Sequence, residues 1–181
     1  TSFLINNMAE ERFDIVDRDD QVIRKACLKT ELHLHDDITR VATVFLLDEC
    51  GRFYLAQRSA SKKIDPLMYE APAHGSVSSW DTYEETIVRE AQEEVFLNLQ
   101  DFEEIAYYYF SFNTSIGIRR HWKKLFIWRC KEITKYNKQE ICSIKSFKSF
   151  SGFLEYYYAN PDNFSQAIET DVKHLKKYFN L

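Results

Sequence analysis

Three carboxylates, those of Glu90, Glu93 and Glu94, lie within five residues of one another and directly follow Arg89. Like charges at this spacing on a helix repel one another, so a cation is needed to hold them together. Carboxylate oxygens are the ligands that hard divalent ions prefer, and such ions commonly bridge to phosphates. The run therefore predicts a metal site; the alternative is an acidic helix face that is simply solvated.

The three acids belong to a segment with helical periodicity, in which they fall within one arc at about 100° per residue. A neighbouring arc holds four apolar residues: Ile87, Val88, Ala91 and Val95. Thr82 and Glu85 have the spacing of a capping box, which marks a helix start. The segment predicts a helix of about 14 residues with an acidic stripe beside a stripe that faces a core.

The spacing in front of the acids is also specific. Five residues separate Gly75 from Asp81, and seven residues separate Asp81 from Arg89. Together with the run Arg-Glu-Ala-Gln-Glu-Glu-Val-Phe-Leu, residues 75–97 resemble the Nudix box. That pattern is Gly, five residues, Glu, seven residues, Arg-Glu, an apolar residue, any residue, Glu-Glu, any residue, Gly and an apolar residue. The fixed register favours the metal site over the solvated face.

Two positions depart from the family pattern. Asp81 stands where the family has Glu, which keeps the charge, shortens the reach and is expected to weaken a secondary metal contact. Phe96 stands where the family has Gly, the left-handed residue that ends the helix. Because Phe is strained at positive φ, we expect the chain to leave the helix differently. Neither change removes the Arg-Glu-x-x-Glu-Glu core.

The resemblance implies that Glu90, Glu93 and Glu94 bind one or more Mg²⁺ ions, with Mn²⁺ as an alternative. Gly75 would let its backbone carbonyl approach the metal closely. Arg89 would hold the carboxylates in place through charge-assisted hydrogen bonds. The ions would neutralise a diphosphate while a coordinated water attacks it. Glu93, Glu94 and Arg89 are thus the catalytic candidates within the box.

Two residues outside the box match further positions of the family. Members often add a Glu from a late loop as a base or further ligand, and Glu140 stands where that residue is expected. Arg58 matches a position that often contacts phosphate. The alternatives are a solvated loop glutamate and a surface arginine at a strand end.

A basic and aromatic segment follows the box. Residues Ile105–Lys131 include no Asp or Glu but six basic residues: Arg119, Arg120, Lys123, Lys124, Arg129 and Lys131. With Tyr107, Tyr108, Tyr109 and Trp122 nearby, the segment could receive a phosphorylated, base-containing ligand, with Arg119 and Arg120 binding substrate. The alternative is a pair of aromatic strands with solvated lysines between them, some of whose rings point into the core.

The remaining sequence indicates the elements that must position these residues. Apolar patterns predict a hairpin at Arg12–Arg24, strands at Val41–Leu47, Arg52–Arg58, Ile105–Phe112, His121–Arg129 and Ile141–Phe147, a loop at Ser59–Pro72, and helices at Phe153–Tyr158 and from Asn160 onward. Helices that flank a mixed sheet make an α/β fold. The resemblance implies a Nudix-type α/β/α sandwich with a mixed β-sheet and an N-terminal β-hairpin extension over about residues 1–35.

Composition limits the class of protein. A chain of 181 residues with 45% hydrophobic content fits one domain over residues 1–181. A net charge of -4 gives no pull toward nucleic acid or an anionic membrane, and no apolar run approaches a membrane span of about 20 residues. Thr1–Ile5 lack the features of a signal peptide. Four widely spaced cysteines, Cys27, Cys50, Cys130 and Cys142, indicate buried reduced thiols in a cytoplasmic protein.

The layout outside the box resembles the branch related to type I isopentenyl-diphosphate isomerase. Three steps fit that branch: Phe13-Asp14-Ile15-Val16-Asp17, Glu31-Leu32-His33 and Gln57-Arg58-Ser59. Isomerases place a catalytic Cys-Gly-His at the start of the box, where this chain has His74-Gly75-Ser76. They also need a second histidine near Thr39-Arg40 and a Glu on the strand that corresponds to the acid-free segment. Since proton transfer requires positioned acids and bases, these missing residues argue against an isomerase.

The sequence therefore predicts a Mg²⁺-dependent Nudix hydrolase that cleaves a diphosphate linkage, in a nucleoside diphosphate derivative or a similar organic pyrophosphate. The expected partner is a small-molecule diphosphate, with no membrane and no nucleic acid polymer. The resemblance leaves the oligomeric state open, with a homodimer as one option. A Nudix domain that binds a nucleotide without hydrolysing it is the alternative from another class.

Overall fold

The computed structural model describes residues 11–33, 35–114 and 117–181. The predictions for Thr1–Ile5 and for the first ten residues of the N-terminal extension lie outside this part of the chain. The described strands are β1 Arg12–Val16, β2 Val22–Leu28, β3 Ile38–Asp48, β4 Phe53–Arg58, β5 Tyr69–Glu70, β6 Ala73–Ser76, β7 Glu103–Thr114, β8 Gly117–Cys130 and β9 Ile141–Phe147. The helices are α1 Tyr83–Glu94, α2 Phe150–Ala159 and α3 Ala167–Tyr178.

Strand β3 organises the sheet. It pairs antiparallel with β1, β4 and β6 and parallel with β8 along its whole length. Ala42 and Val44 pack into the core beside α1, whereas Phe45 and Leu47 pack into the core beside α2 and α3. A strand that is buried on both faces requires apolar side chains on both, which explains its nearly continuous apolar run. The predicted α/β/α sandwich around a mixed sheet is confirmed.

The start of α1 follows the predicted capping box. Thr82 Oγ1 accepts a hydrogen bond from the Glu85 amide, and the Glu85 carboxylate accepts one from the Thr82 amide. Ile87 and Ala91 are completely buried against the sheet. Val88, predicted to share their stripe, is instead 37% exposed, because it lies at the edge of the apolar arc.

The N-terminal hairpin predicted at Arg12–Arg24 is present as β1 and β2, which pair antiparallel. Its turn is held against the rest of the sheet by Asp20. The Asp20 carboxylate accepts from the Arg40 guanidinium at 2.7 Å and from the Tyr83 hydroxyl at 3.3 Å, and it also binds the Tyr107 hydroxyl. The hairpin is therefore fixed to α1 and β7.

Two predictions about the C-terminal half and the first long loop are wrong. The last helix begins at Ala167 rather than at Asn160, after a short 3-10 turn at Pro161–Asn163. Phe164 is extended there and bridges to Tyr69, because both rings pack in an aromatic cluster that overrides the local helix signal. The predicted loop Ser59–Pro72 contains the short strand β5, which pairs antiparallel with β4.

No described helix is long and apolar enough to cross a membrane.

The cysteine thiols are more exposed than expected. Cys27 is buried and free, but Cys50 and Cys142 are free and exposed. The side chain of Cys130 lies outside the described part of the chain.

The exit from α1 differs from the expectation for Phe96. Phe96 adopts the left-handed conformation of the family's glycine, with φ of 56° and half of its surface exposed. The Leu97 amide reaches back to the Ala91 carbonyl at 3.2 Å and closes the helix end. The chain therefore leaves α1 in the same way as it would after a glycine, and the backbone of Phe96 is strained.

We expect this strain to be measurable by comparing Phe96→Gly with Phe96→Ala. Both variants lose the same ring, but only glycine relieves the left-handed backbone, so the Gly variant should be more stable by about 1 kcal/mol. At the exposed helical position 88 the order should reverse, with Val88→Ala about 1 kcal/mol more stable than Val88→Gly. The measurement is chemical unfolding of all four variants. The same order at both positions would contradict the conformation of Phe96.

Candidate active site

The carboxylate of Glu90 lies directly against the backbone of Gly75. Strand β6 pairs with β3 at Ala42↔Gly75, and α1 packs over this pair. A Cβ at position 75 would lie 2.3 Å from Glu90 Oε1, far inside van der Waals contact. Glycine is therefore required here by the close approach of the carboxylate.

Glu94 is held one helical turn further along α1. Its Oε2 accepts a hydrogen bond from the His74 amide at 3.1 Å, and the residue is only 8% exposed. Burial raises the pKa of Glu94 well above its usual value, and the charges of Glu90 and Glu70 raise it further. Burial also raises the pKa of Glu90 to about 7, against the lowering effect of Arg89. Both carboxyls are thus costly to ionise without a cation.

Arg89 connects the acids of the box. Its guanidinium donates to Glu90 Oε1 at 2.7 Å and lies 3.8 Å from Glu93 Oε2 and 3.4 Å from Asp81 Oδ2. This agrees with the role that the resemblance implies for Arg89. Glu93, however, is on the outer edge of the acidic arc: its side chain is 58% exposed and does not line the cavity described below.

A cavity of about 370 Å³ opens beside these acids. Six of the predicted site residues line it: Arg58, Gly75, Glu90, Glu94, Arg119 and Glu140. Thr39, Val41 and Thr43, alternate residues of β3, line it from the sheet. The volume lies within the range of small-molecule sites, at about 300–1,000 Å³.

The cations nearest the acids already have partners. Arg58 Nη1 lies 2.8 Å from both oxygens of Glu70, and its Nε donates to the Ile64 carbonyl at 3.0 Å. Lys62 pairs with Glu140, and both line the cavity. Arg58 and Glu140 are therefore brought to the same cavity as the box, each in a charge-neutralised pair.

The basic segment is divided between the two faces of the sheet. Successive strand residues point to opposite faces, so Arg119 lines the cavity and Arg120 does not. Arg120 adjoins a recess of only about 10 Å³, and its Nη1 is buried without a hydrogen-bond partner in the described structure. The structure therefore brings Arg119, but not Arg120, to the cavity beside the acids, and substrate binding by Arg120 stays a prediction. Tyr107 and Trp122 also lie outside the cavity lining.

The cavity also has a buried polar network that the sequence did not reveal. Lys123 is buried and pairs with Asp171 of α3 at 2.7 and 2.8 Å, so the alternative of solvated lysines does not hold for it. The Tyr108 hydroxyl also binds Asp171. His121 Nδ1 lies 2.9 Å from Thr39 Oγ1, and burial lowers the pKa of His121 to about 3, helped by the charges of Arg119 and Lys123.

The residues fit a hard divalent ion, although the side chains alone do not form a complete coordination shell. Within residues 11–33, 35–114 and 117–181, no group of three or more His, Cys, Asp or Glu side chains is arranged to hold a metal. Glu90 and Glu94 are oxygen donors whose raised pKa values would be lowered by a cation between them. The Glu90 carboxylate occupies the space that a Cβ of residue 75 would fill, and it therefore lies against the β6 backbone.

Three residues near the acids escaped the sequence reasoning. Glu70 pairs with Arg58 and lies 3.4 Å from His74 Nε2, and Lys62 pairs with Glu140. His74 could have been found from its place next to Gly75. Nothing in the sequence marks Glu70 or Lys62, because they reach the site through the segment between β4 and β6.

The comparisons with known proteins agree with this geometry. The NUDIX domain family model matches residues 37–162, which include the box and most of the sheet. The chain therefore belongs to the Nudix family. A Nudix hydrolase of Deinococcus radiodurans is 34% identical over 91 residues, which are 50% of this chain and 53% of the relative. An uncharacterised Nudix hydrolase of Nostoc is 36% identical over 90 residues, 49% of this chain and 53% of the relative. The chain thus spans about half the length of the curated relatives it matches.

Solved structures show the same fold. DR0079 from Deinococcus radiodurans superposes with a TM-score of 0.67 at 26% identity, over 82% of this chain and 90% of that one. The NUDIX domain of Shewanella oneidensis NrtR, complexed with ADP ribose, gives 0.59 at 10% identity, over 80% and 90% of the two chains. At that identity the second match shows the fold alone. The resemblance to the isomerase branch stays a prediction.

The depressed pKa of His121 predicts how stability depends on pH. The folded pKa of about 3 lies below the ordinary value of 6.5, so the unfolded chain binds more protons between these values. Acidification from pH 7.5 to 5 should therefore cost about 2 kcal/mol of unfolding free energy through this one group. In His121→Gln, which keeps a polar group beside Thr39, the loss over that range should be smaller by this amount. Urea unfolding at both pH values measures it, and equal losses in the two proteins would contradict the assignment.

Proposed function

We propose that this chain is a metal-dependent Nudix hydrolase that cleaves a diphosphate linkage in a nucleoside diphosphate derivative or a similar organic pyrophosphate. The observation that carries the proposal is the contact between Glu90 and Gly75, which brings an acid of the box to the backbone beside a second buried acid, Glu94. These acids open on a cavity that also holds the cations Arg58 and Lys62. Acids for an ion and cations for phosphate oxygens thus share one site.

Divalent ions such as Mg²⁺, or Mn²⁺ in its place, are typical of the family; when bound, such an ion neutralises diphosphate charge and acidifies water. Glu90 and Glu94 would hold it, together with the Gly75 carbonyl. Arg89 would keep Glu90 in place through its 2.7 Å hydrogen bond. We keep Glu93 in the proposal, since Arg89 also lies 3.8 Å from its carboxylate. Because burial raises the pKa of Glu90 and Glu94, both would release protons on binding the ion.

The pairs Arg58–Glu70 and Lys62–Glu140 would change when a diphosphate arrives. A phosphate oxygen is an acceptor that competes with a carboxylate for a guanidinium or an ammonium. Exchange of Lys62 from Glu140 to the substrate would free the Glu140 carboxylate to take a proton from water or to serve as a further ligand. Asp81, 3.4 Å from Arg89 and outside the cavity lining, would act only through that arginine.

Proton-transfer chemistry of the isomerase kind is not favoured. His74 stands where isomerases have their cysteine, and its Nε2 faces Glu70 at 3.4 Å. The acid-free strand β8 presents Lys123 to the cavity, neutralised by Asp171. Strand β8 thus supplies no carboxylate to the cavity that could act as the isomerase's catalytic Glu. A domain that binds a nucleotide without hydrolysis would not need the two buried acids, whose ionisation is costly.

The proposed partner is a small organic diphosphate, and no nucleic acid polymer is expected to bind. A homodimer remains an option that solution measurements can test. We propose a cytoplasmic location on the basis of the unpaired thiols of Cys27, Cys50 and Cys142.

Hydrolysis should require both the ion and Glu94. We expect wild-type protein with Mg²⁺ to cleave a member of a panel of nucleoside diphosphate derivatives, beginning with ADP-ribose, and to stop on addition of EDTA. Glu94→Gln keeps the shape but removes the charge, so kcat should fall by about 100-fold or more, because several kcal/mol of charge stabilisation depend on the ion. Phosphate-containing products are measured by chromatography.

The matched control is Glu84→Gln on the same helix. Glu84 pairs with Lys124 at 2.8 Å and does not line the cavity, so this variant should keep wild-type kcat. Absence of hydrolysis across the whole panel by folded wild-type protein would refute the hydrolase and favour the binding domain. Equal kcat in Glu94→Gln and wild-type protein would refute the role of Glu94.

A further inference from the structure

The cavity extends beyond the acids to an end that no residue of the box lines. Side chains of β7 and β8 line this end: Phe110, Phe112, Arg119 and His121. Lys123 lies opposite Val41, between this end and the Gly75 row, and pairs with Asp171. Gly75 lies opposite Ala42 of β3, whereas Arg120 lies opposite Ile38. Arg119 is one residue further, so its row is about 16 Å from that of Gly75 at about 3.3 Å per residue. The two ends can thus contact different parts of one ligand.

Three other basic residues of the cavity have acidic partners, whereas Arg119 has none in the described structure. Arg58 pairs with Glu70, Lys62 with Glu140 and Lys123 with Asp171. In the described part of the chain, Arg119 has neither a carboxylate nor a hydrogen-bond acceptor in contact. Burial lowers the pKa of its guanidinium, and no acidic neighbour opposes that effect. Partly buried charges are normally paired, so an unpaired guanidinium facing a cavity indicates that a ligand supplies the anion.

The surroundings of Arg119 also favour an anion. Its nearest titratable neighbour, His121, is kept neutral by burial and by the charges of Arg119 and Lys123. Asp171 is neutralised by Lys123, and the charge of Lys29 in the cavity lining is offset by that of Glu11. The potential at this end is therefore positive, whereas the box end is acidic.

The wall beside Arg119 is aromatic, since Phe112 lies opposite Arg119 and Phe110 lies opposite His121. The rings of Phe110 and Phe112 are parallel, with centroids 5.4 Å apart, and His121 lies 5.6 and 6.0 Å from them. Such a wall offers contact to an uncharged ring or chain but no partner for a charge. A ligand that reaches from the box to Arg119 should thus have a diphosphate at one end and, at the other end, an anion next to an uncharged ring or chain.

We propose that Arg119 is a specificity residue that binds a phosphomonoester on the substrate, remote from the diphosphate that is cleaved. This assignment rests on the proposed hydrolase function for the identity of the ligand, but not for the anion site itself. A guanidinium presents a fork of donors that matches two phosphate oxygens at once. The preferred substrates would be diphosphates that carry an additional terminal phosphate.

The anion site can be measured without catalysis. Titration calorimetry with inorganic phosphate, in EDTA so that no ion is present, should show binding to wild-type protein. Arg119→Gln should weaken that binding by about 10-fold or more, which corresponds to about 1.4 kcal/mol, and Arg119→Lys should retain part of it. Arg129→Gln, on the same strand but outside the cavity lining, is the control and should bind as wild type does. Thermal unfolding of each variant checks that it is folded.

The kinetic test uses a pair of ADP esters of a long-chain alkanediol that differ by one phosphomonoester: the far hydroxyl is free in one member and phosphorylated in the other. Wild-type protein should have the lower KM for the phosphorylated member of the pair. Arg119→Gln should raise that KM by about 10- to 100-fold, leave kcat unchanged and leave the other member unaffected, because only the remote contact is lost.

The outcomes separate the two claims. Absence of phosphate binding to wild-type protein, equal binding to Arg119→Gln, or equal KM changes for both members of the pair would overturn the role of Arg119 even if hydrolysis is robust. Phosphate binding that depends on Arg119, in a protein that hydrolyses nothing, would support the anion site and refute the hydrolase.

Discussion

The site depends on one steric constraint, the contact between the Glu90 carboxylate and the backbone of Gly75. A Cβ would lie 2.3 Å from the carboxylate oxygen, so any other residue at position 75 would separate β6 from α1 or turn Glu90 away. The contact exists because β3 holds β6 on its edge while Ile87 and Ala91 fix α1 against the sheet. The packing of β6 and α1 on the central strand β3 therefore also determines the geometry of the site.

That arrangement is unfavourable for the apoprotein. Two acids are buried where their pKa values rise, and the neighbouring cations Arg58 and Lys62 are occupied by Glu70 and Glu140. Evolution normally removes such costs unless a ligand recovers them. Left-handed Phe96 at the end of the same helix adds strain of the same kind. The helix that bears the acids thus combines buried carboxyls with a strained end, as expected of a site that awaits a ligand.

Sequence patterns predicted the parts that depend on local chemistry. The capping box at Thr82, the doubly buried strand β3 and the strand β9 at Ile141–Phe147 follow from spacing and side-chain type. Features that depend on distant partners were missed or wrong. Lys123 pairs with Asp171, which is 48 positions away in the sequence. Phe164, which was predicted to be helical, is instead bridged to Tyr69. Side-chain alternation along β8 predicts that Arg119 and Arg120 point to opposite faces of the sheet. The sequence did not show which of these faces lines the cavity.

The central claim, that Glu90 and Glu94 with the Gly75 backbone form a divalent cation site, is tested most directly by crystallography with Mn²⁺. The measurement is the anomalous scattering of a crystal soaked in Mn²⁺ and a non-hydrolysable diphosphate. The account predicts a peak within coordination distance of both carboxylates and of the Gly75 carbonyl, with phosphate oxygens on its open side. A diphosphate bound with no peak at these residues, or a peak coordinated by other residues, would contradict it.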